Sequence, residues 1–240
     1  MRCMRLDLKS LVKLQVMSNM RNIAYMIRAL GEDIIDTIRR DFEEFAKQLN
    51  ATDPKEKYWL ATVMSSVWIV GVPGDFYRKY IAHIYKNTVN TPFDRNVVSE
   101  AVFAKGFPGT RKYKVVDMLV FHGNILNTVG AQSILQNPVV HQRNIVAKAM
   151  QTKGVGQWSA TAPFMALAAA GEIPRNVIND LEPPLGTSVI EGIKALTGVP
   201  LRGDDATHRE FAKALHRHLA ELANTDVFTI NGGLYELGRK

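Results

Sequence analysis

Residues 144–180 constrain the fold more than any other stretch, because two apolar, alanine-rich segments flank a turn that contains two glycines. Apolar residues recur at helical spacing before the turn and again after it, which predicts a pair of helices. Gly154 and Gly156 permit a turn too sharp for larger residues and let the backbone approach a ligand closely. The second helix is predicted to begin near Gly156, where free N–H groups and the helix dipole favour an anion such as phosphate. An ordinary helical hairpin without a ligand fits the same pattern.

Residues 153–160, KGVGQWSA, resemble the hairpin of the helix-hairpin-helix DNA glycosylase superfamily, and most closely its 3-methyladenine DNA glycosylase II branch. The resemblance extends more weakly from about Tyr58 to the C-terminus. Two departures stand out: Lys153 replaces the proline usual before the first glycine, and Pro163 removes a backbone donor early in the second helix. The resemblance implies an all-α fold in which residues 51–240 form two helical lobes flanking a cleft, preceded by extra helices in residues 1–50.

The resembling family carries its essential aspartate just beyond the second hairpin helix, after a short apolar strand-like segment, and Asp180 occupies that place here. Breaking a base–sugar bond develops positive charge on the deoxyribose, which a nearby carboxylate stabilises. The resemblance therefore implies a base-excision-repair enzyme in which Asp180 assists hydrolysis at a base flipped out of the duplex. The alternative is that Asp180 caps the helix or turn that follows. Asp204 and Asp205, in a polar loop, match the family less well.

Trp158 decides the subclass within this resemblance. Family members that also cut the DNA strand carry a lysine at that position, which attacks the sugar as an amine. A tryptophan there implies a monofunctional hydrolase that uses water as its nucleophile. Trp158 and Trp68 are the candidate walls of a base pocket, since aromatic faces favour electron-poor or cationic alkylated purines. Plain core is the competing interpretation of both, and the favoured one for Trp68.

Double-stranded DNA is the expected partner, and the candidate phosphate contacts fall in two clusters. The residues are Lys153, Gly154, Gly156 and Gln157 at the hairpin, with Arg111 and Lys112 at the start of an earlier helix. Lys114 belongs to the same basic cluster, for which a solvated helix start is an equally good interpretation. We expect no cofactor and no metal ligands; a structural K⁺ or Na⁺ is the one ion that the backbone at Gly154 and Gly156 could hold.

Composition agrees with this class of function without proving it. The formal net charge is +7, with a sequence pI near 9.5, and a basic chain favours polyanions because binding releases counterions. Cys3 is the only cysteine, which excludes an intrachain disulfide and a four-cysteine iron–sulfur cluster and favours an intracellular protein, in the cytoplasm and nucleoid or in the nucleus. No apolar run is long enough to span a membrane, and charges interrupt the N-terminus too often for a signal peptide.

Residues 1–50 are predicted to form amphipathic helix in two or three pieces, with a stop at Gly31. The sequence leaves open whether this segment packs onto the rest of the chain or mediates association. His208, His216 and His218 are predicted to face solvent or phosphate, because no third ligand stands at zinc spacing.

Three other functions compete with the glycosylase. A DNA-binding module on the same scaffold predicts salt-sensitive binding without an abasic product. A base-modifying transferase predicts a changed base on an intact glycosidic bond. A helical interaction protein, with a coincidental glycine turn, predicts no affinity for DNA.

Overall fold

The computed structural model describes residues 8–68 and 74–239, and within these ranges the chain is entirely helical, without a strand. This confirms the predicted all-α class. Residues 1–7, which include Cys3, and residues 69–73 lie outside the described ranges. The helices are α1 Leu8–Leu49, α2 Pro54–Trp68, α3 Gly74–Thr88, α4 Arg95–Val102, α5 Lys112–Val129, α6 Ala131–Gln136, α7 Pro138–Ala149, α8 Gln157–Ala169, α9 Arg175–Ile178, α10 Thr187–Thr197, α11 Ala206–Ala223 and α12 Val227–Leu237.

Helices α2 and α8 form the centre of the molecule. Both are apolar around most of their circumference, as expected for helices enclosed by other helices. They pack together with the rings of Tyr58 and Phe164 in edge contact, 6.3 Å between centroids. Lys57, near the start of α2, pairs with Glu172, just after α8, at 2.8 Å, so the two helices run in opposite directions.

Helix α1 runs unbroken through Gly31, so the prediction of two or three pieces with a stop at Gly31 is wrong. The physical reason is a close approach of helices. A methyl group at Gly31 would overlap the backbone oxygen of Thr229 in α12, and one at Gly233 would overlap the oxygen of Ile27. Glycine at these positions lets the two backbones come nearer than side chains would allow, and it serves packing instead of chain termination.

The start of α2 follows its sequence signals. Asp53 accepts a hydrogen bond from the Glu56 backbone N–H at 2.9 Å, while the Glu56 carboxylate accepts from the N–H groups of Thr52 and Asp53. This reciprocal arrangement is a capping box, and it satisfies donors that a helix start otherwise leaves free. Asp53 thus caps the helix and Pro54 is its first residue, an order of residue types that favours a helix start.

Candidate functional site

The glycine turn lies between α7 and α8, where the sequence predicts it. Gly154 adopts φ +85°, a conformation that residues other than glycine rarely adopt. Gly156 is extended and precedes α8, and no side chain caps the first N–H groups of that helix. A methyl group at Gly156 would meet nothing within 4 Å, so the backbone is open to a ligand on that side. Lys153 is exposed next to the turn.

Asp117, which no sequence motif marks, lies against the other side of the turn. A methyl group at Gly154 would be 2.5 Å from its Oδ2 atom, so the Asp117 carboxylate would have to move, and the positive φ of Gly154 strains any larger residue in addition. Arg95 pairs with the same carboxylate, Nη2 to Oδ1 at 2.6 Å. An anion would meet repulsion from Asp117 at the Gly154 side of the turn, which leaves the Gly156 side as the favourable approach.

Two glutamines bind the loop that follows Asp180 to the hairpin. Gln157 donates to the carbonyl of Pro183 at 2.8 Å and accepts from the N–H of Leu185 at 2.8 Å. Gln142, on α7, makes the same pair of bonds to the carbonyl and N–H of Glu182, at 3.0 and 2.7 Å. Each side-chain amide thus satisfies one donor and one acceptor of the backbone.

The prediction that the Gln157 side chain contacts phosphate is therefore corrected. That residue is 4% exposed, and both ends of its amide are bound to the protein. Its role in the structure is to hold residues 183–185 against the start of α8. Gln142, its counterpart, had no sequence signal, because its partner lies 40 residues further along the chain.

Asp180 follows α9, a short helix in place of the strand-like segment that the resemblance implied. Its side chain is 62% exposed, and Oδ1 lies 3.2 Å from Nη2 of Arg217. Arg217 also donates from Nε to the carbonyl of Asn179 at 2.8 Å, and the Asn179 side chain accepts from the N–H of Val227 at 3.0 Å. The carboxylate is thus accessible, held in place and partly neutralised by a guanidinium group.

Helix α11 supplies two cations to this loop at positions i and i+4. Lys213 lies 4.0 Å from the carboxylate of Glu182, with both side chains largely buried, and Arg217 pairs with Asp180 one turn later. Residues four apart share a helix face, so the spacing of Lys213 and Arg217 is the sequence signal from which this pair of cations could have been predicted. The two cations hold α11 against the first part of the loop between α9 and α10.

The two tryptophans do not share the cavity that Trp68 lines. Trp158 is half-buried, and its ring packs on Gly186, where a methyl group would lie 3.1 Å from the indole Cδ1. Trp68 donates from Nε1 to the hydroxyl of Tyr77 at 3.0 Å. It borders a cavity of about 300 Å³ whose other lining residues come from α1, α2 and α3, so neither Trp158 nor Asp180 reaches it. The structure does not place Trp158 and Trp68 on one cavity, which corrects the prediction that both of them wall a base pocket.

A second cleft, of about 620 Å³, lies between α1, the end of α8, α9 and the junction of α11 with α12. Asn179 lines this cleft, but Asp180 does not. Its charged lining is mixed, because Arg39 and Arg175 are offset by Glu32, Asp36 and Asp226.

The basic cluster at the start of α5 is only partly available to phosphates. Arg111 is exposed with φ +58°, and Lys114 is also exposed. Lys112 instead turns inward, donating from Nζ to the carbonyl of Phe107 at 2.7 Å and lying over the ring of Phe103. Burial lowers the pKa of its ammonium group. The prediction that Lys112 binds phosphate is corrected on this geometry.

The remaining candidates have structural partners. Asp205 caps α11 through the N–H of His208, and Asp204 pairs with Arg202 at 3.0 Å. His216, predicted to be at the surface, is fully buried, with Nδ1 2.6 Å from the carbonyl of Ala212. Burial lowers the pKa of its imidazole to about 4, because charge is disfavoured away from water.

Fold and site together define an all-α protein in which a glycine-turn hairpin is bound to the loop after an exposed aspartate. Comparison with known proteins finds no matching family model, no similar curated protein and no similar solved structure. Among the residues that the structure describes, no helix is both long and apolar enough to cross a membrane.

Proposed function

We propose that this protein binds double-stranded DNA through its glycine hairpin and hydrolyses the N-glycosidic bond of a modified base turned out of the duplex. The proposed fold is that of the helix-hairpin-helix glycosylases, with a DNA-binding cleft between helical lobes. One observation carries the proposal: Gln142 and Gln157 join the loop after Asp180 to the hairpin by four hydrogen bonds. A carboxylate is thereby held at a fixed position relative to a phosphate-binding turn, as cleavage beside a bound backbone requires.

In the proposed reaction, the Asp180 carboxylate stabilises positive charge that develops on the deoxyribose and orients the attacking water. Its 62% exposure leaves it accessible to substrate. Arg217 opposes this role in the free protein because it offsets the negative charge. A DNA phosphate offers Arg217 an alternative partner, since guanidinium groups bind phosphate in a bidentate manner. Binding of DNA would then free the carboxylate for chemistry.

Replacement of Asp180 by asparagine tests the central step. The neutral side chain keeps the shape but loses the charge, so we expect a loss of turnover on the order of a hundredfold or more, with DNA binding retained. The substrates are duplexes carrying uracil, 3-methyladenine, hypoxanthine, 8-oxoguanine or 5-hydroxymethyluracil, with alkali to reveal abasic sites. Asp204→Asn, an exposed aspartate in another loop, is the matched control and should keep full activity. Equal activity of the two variants would refute the role of Asp180.

Borohydride added during turnover tests the choice of nucleophile. A water mechanism forms no imine between protein and sugar, so reduction should trap no covalent complex with DNA. Lys213 is the informative lysine here, because it lies beside the loop through Glu182. A trapped complex that disappears in the Lys213→Met variant would show that the nucleophile is the amine of Lys213 and not water.

Replacement of Gly156 by alanine tests the hairpin. The added methyl group meets no protein atom within 4 Å, so the fold should be unaffected. A phosphate bound to the N–H groups at the start of α8 would be displaced, and we expect roughly tenfold weaker binding, as for loss of a hydrogen bond to a charged group. Gly203→Ala, where the nearest atom is 3.6 Å away, is the control. If the Gly156→Ala variant bound DNA with unchanged affinity, the hairpin would not be part of the DNA-binding surface.

A second candidate function is DNA recognition without cleavage. It is favoured by the pairing of Asp180 with Arg217, which gives the aspartate a structural partner in the free protein. This alternative predicts affinity that falls steeply with salt and no abasic product from any modified duplex. The substrate panel above separates the two functions.

A further inference from the structure

Two exposed aromatic side chains, Phe103 and Tyr113, form a pair where the chain passes from α4 to α5. Their rings are in tilted contact, 5.5 Å between centroids, and the residues are 47% and 73% exposed. Nζ of Lys112 lies 5.7 Å from the centroid of the Phe103 ring and donates to the carbonyl of Phe107. These contacts hold Phe103 in place, while Tyr113 is largely open to solvent. The aromatic pair therefore presents flat apolar surface to a partner.

The chain around the aromatic pair is strongly basic. Residues 101–116 contain no acidic residue and four cations, which are Lys105, Arg111, Lys112 and Lys114. All of these except Lys112 are exposed. The nearest acids along the chain are Glu100 and Asp117, and Asp117 is paired with Arg95. The exposed charge beside the two rings is thus complementary to a polyanion.

Helix α3 extends this basic surface. The ring of Phe107 stacks on that of Tyr80 at 4.8 Å and lies 5.0 Å from that of His83, so the segment between α4 and α5 packs against α3. Lys79 and Lys86 are exposed, and they lie four residues before and three residues after His83. Residues at these spacings share one side of a helix, so both lysines flank the packed segment.

Aromatic rings among exposed cations suit a nucleic acid strand whose bases are unpaired. The cations bind the phosphates, and the rings stack on the faces of the bases without regard to sequence. In a duplex, neighbouring base pairs cover those faces, so the aromatic pair adds affinity only where a strand is unpaired. The cores of protein interfaces are depleted in lysine, so the surrounding charge favours a nucleic acid over a protein partner.

The aromatic pair also lies close to the glycine hairpin. Tyr113 precedes Asp117 by four residues, so the two side chains lie on one side of α5, one turn apart. Asp117 in turn lies against Gly154. The basic surface around the pair is therefore continuous with the turn between α7 and α8.

We propose that this surface binds an unpaired strand of DNA, whose bases stack on Phe103 and Tyr113 and whose phosphates contact the exposed cations of residues 101–116. The choice of DNA over RNA rests on the proposed function of the adjacent hairpin. The stacking itself requires neither the hairpin nor Asp180.

Fluorescence anisotropy of the full chain with an oligothymidine of about eight nucleotides tests the aromatic pair, since single-strand sites cover about 4–16 nucleotides. Tyr113→Ala should weaken binding roughly tenfold, as for the loss of one stacked base, and Tyr113→Trp should keep native affinity. Tyr25→Ala, at a tyrosine of α1 that is 48% exposed, is the matched control and should bind normally. Absence of binding, native affinity of Tyr113→Ala or an equal loss in the control overturns the proposal. Tighter binding of an oligouridine RNA of the same length overturns the choice of DNA.

Salt dependence tests the charges around the pair. Each phosphate contact to a single strand contributes about −0.7 to the slope of log K against log salt concentration. Lys105→Gln combined with Lys114→Gln should therefore make the slope shallower by about 1.4. Lys47→Gln combined with Lys55→Gln, at exposed lysines of α1 and α2, changes the net charge equally and should leave the slope unchanged. Equal slopes for the two double variants contradict phosphate binding at this surface.

Both measurements record binding without cleavage, so this proposal and the proposed function fail separately. The aromatic pair can prove irrelevant while Asp180 is essential for base excision. Conversely, Asp180 can prove dispensable while Tyr113 still determines the affinity for an unpaired strand.

Discussion

Replacing Gln157 by alanine removes both hydrogen bonds that hold residues 183–185 against the start of α8. The carbonyl of Pro183 and the N–H of Leu185 then lose their partners in a part of the protein that water does not reach. We expect the chain to fold but to be markedly less stable, and the loop after Asp180 to become mobile.

The magnitude follows from two buried backbone groups left without partners. Each costs about 1–3 kcal/mol, so the two together cost about 2–6 kcal/mol. This is a large fraction of the roughly 5–15 kcal/mol by which a typical domain is stable. The lost packing of the side-chain stem adds to it, and Gln157→Met separates the two effects because methionine fills similar volume without either bond.

Urea unfolding followed by circular dichroism measures the loss, with the slope against denaturant checked for two-state behaviour. Gln151, an exposed glutamine near the end of α7, provides the control. Its change to alanine should alter stability by less than about 0.5 kcal/mol. A loss below about 1 kcal/mol in both Gln157 variants would contradict the argument, because buried groups left unpaired cost at least that much.

Three further predictions concern the core. Gly31→Ala should lower stability by about 1–3 kcal/mol or more in urea unfolding, because its methyl group overlaps the carbonyl of Thr229; native stability would refute the close approach. Tyr58→Phe removes the hydroxyl bound to Nδ1 of buried His122 at 2.8 Å, and should cost about 1–3 kcal/mol in the same assay. Burial lowers the pKa of His122 and of His216 to about 4, below the value near 6.5 of the unfolded chain. Their stabilising effect is therefore complete above pH 6.5 and is lost as the pH falls towards 4, by about 3 kcal/mol for each histidine. Unfolding free energies at pH 7 and pH 4.5 measure this loss, and His122→Phe should show a pH slope shallower by about one proton.

The sequence predicted those features that depend on neighbouring residues. The glycine turn and its two flanking helices follow from helical spacing and from the conformations that only glycine adopts readily. The start of α2 follows from Asp53 and Pro54, whose capping chemistry acts within one helical turn. Such signals are local, so they can be read without knowing which parts of the chain meet.

The features that the sequence did not predict depend on distant partners. Gln157 has the same chemistry whether it faces a phosphate or a loop 26 residues away, and only the packed structure decides. Lys112 turned inward because Phe107 places a carbonyl within its reach. Gly31 carried the usual signal for a helix end, but the glycine is needed there by α12, about 200 residues later. The resemblance of residues 153–160 indicated a functional class, while the environment of Asp180 depends on Arg217, 37 residues further on.

The interlocking of α1 with α12 has a consequence for synthesis on the ribosome. Ile27 and Gly31 emerge about 200 residues before Thr229 and Gly233, against which they pack. At about 5–20 residues per second, the nascent helix waits roughly 10–40 s for that surface. During this interval the face of α1 that receives α12 remains uncovered, whereas its contacts with α2 and α3 can form earlier. Chaperones that hold nascent chains would therefore act on this face of α1.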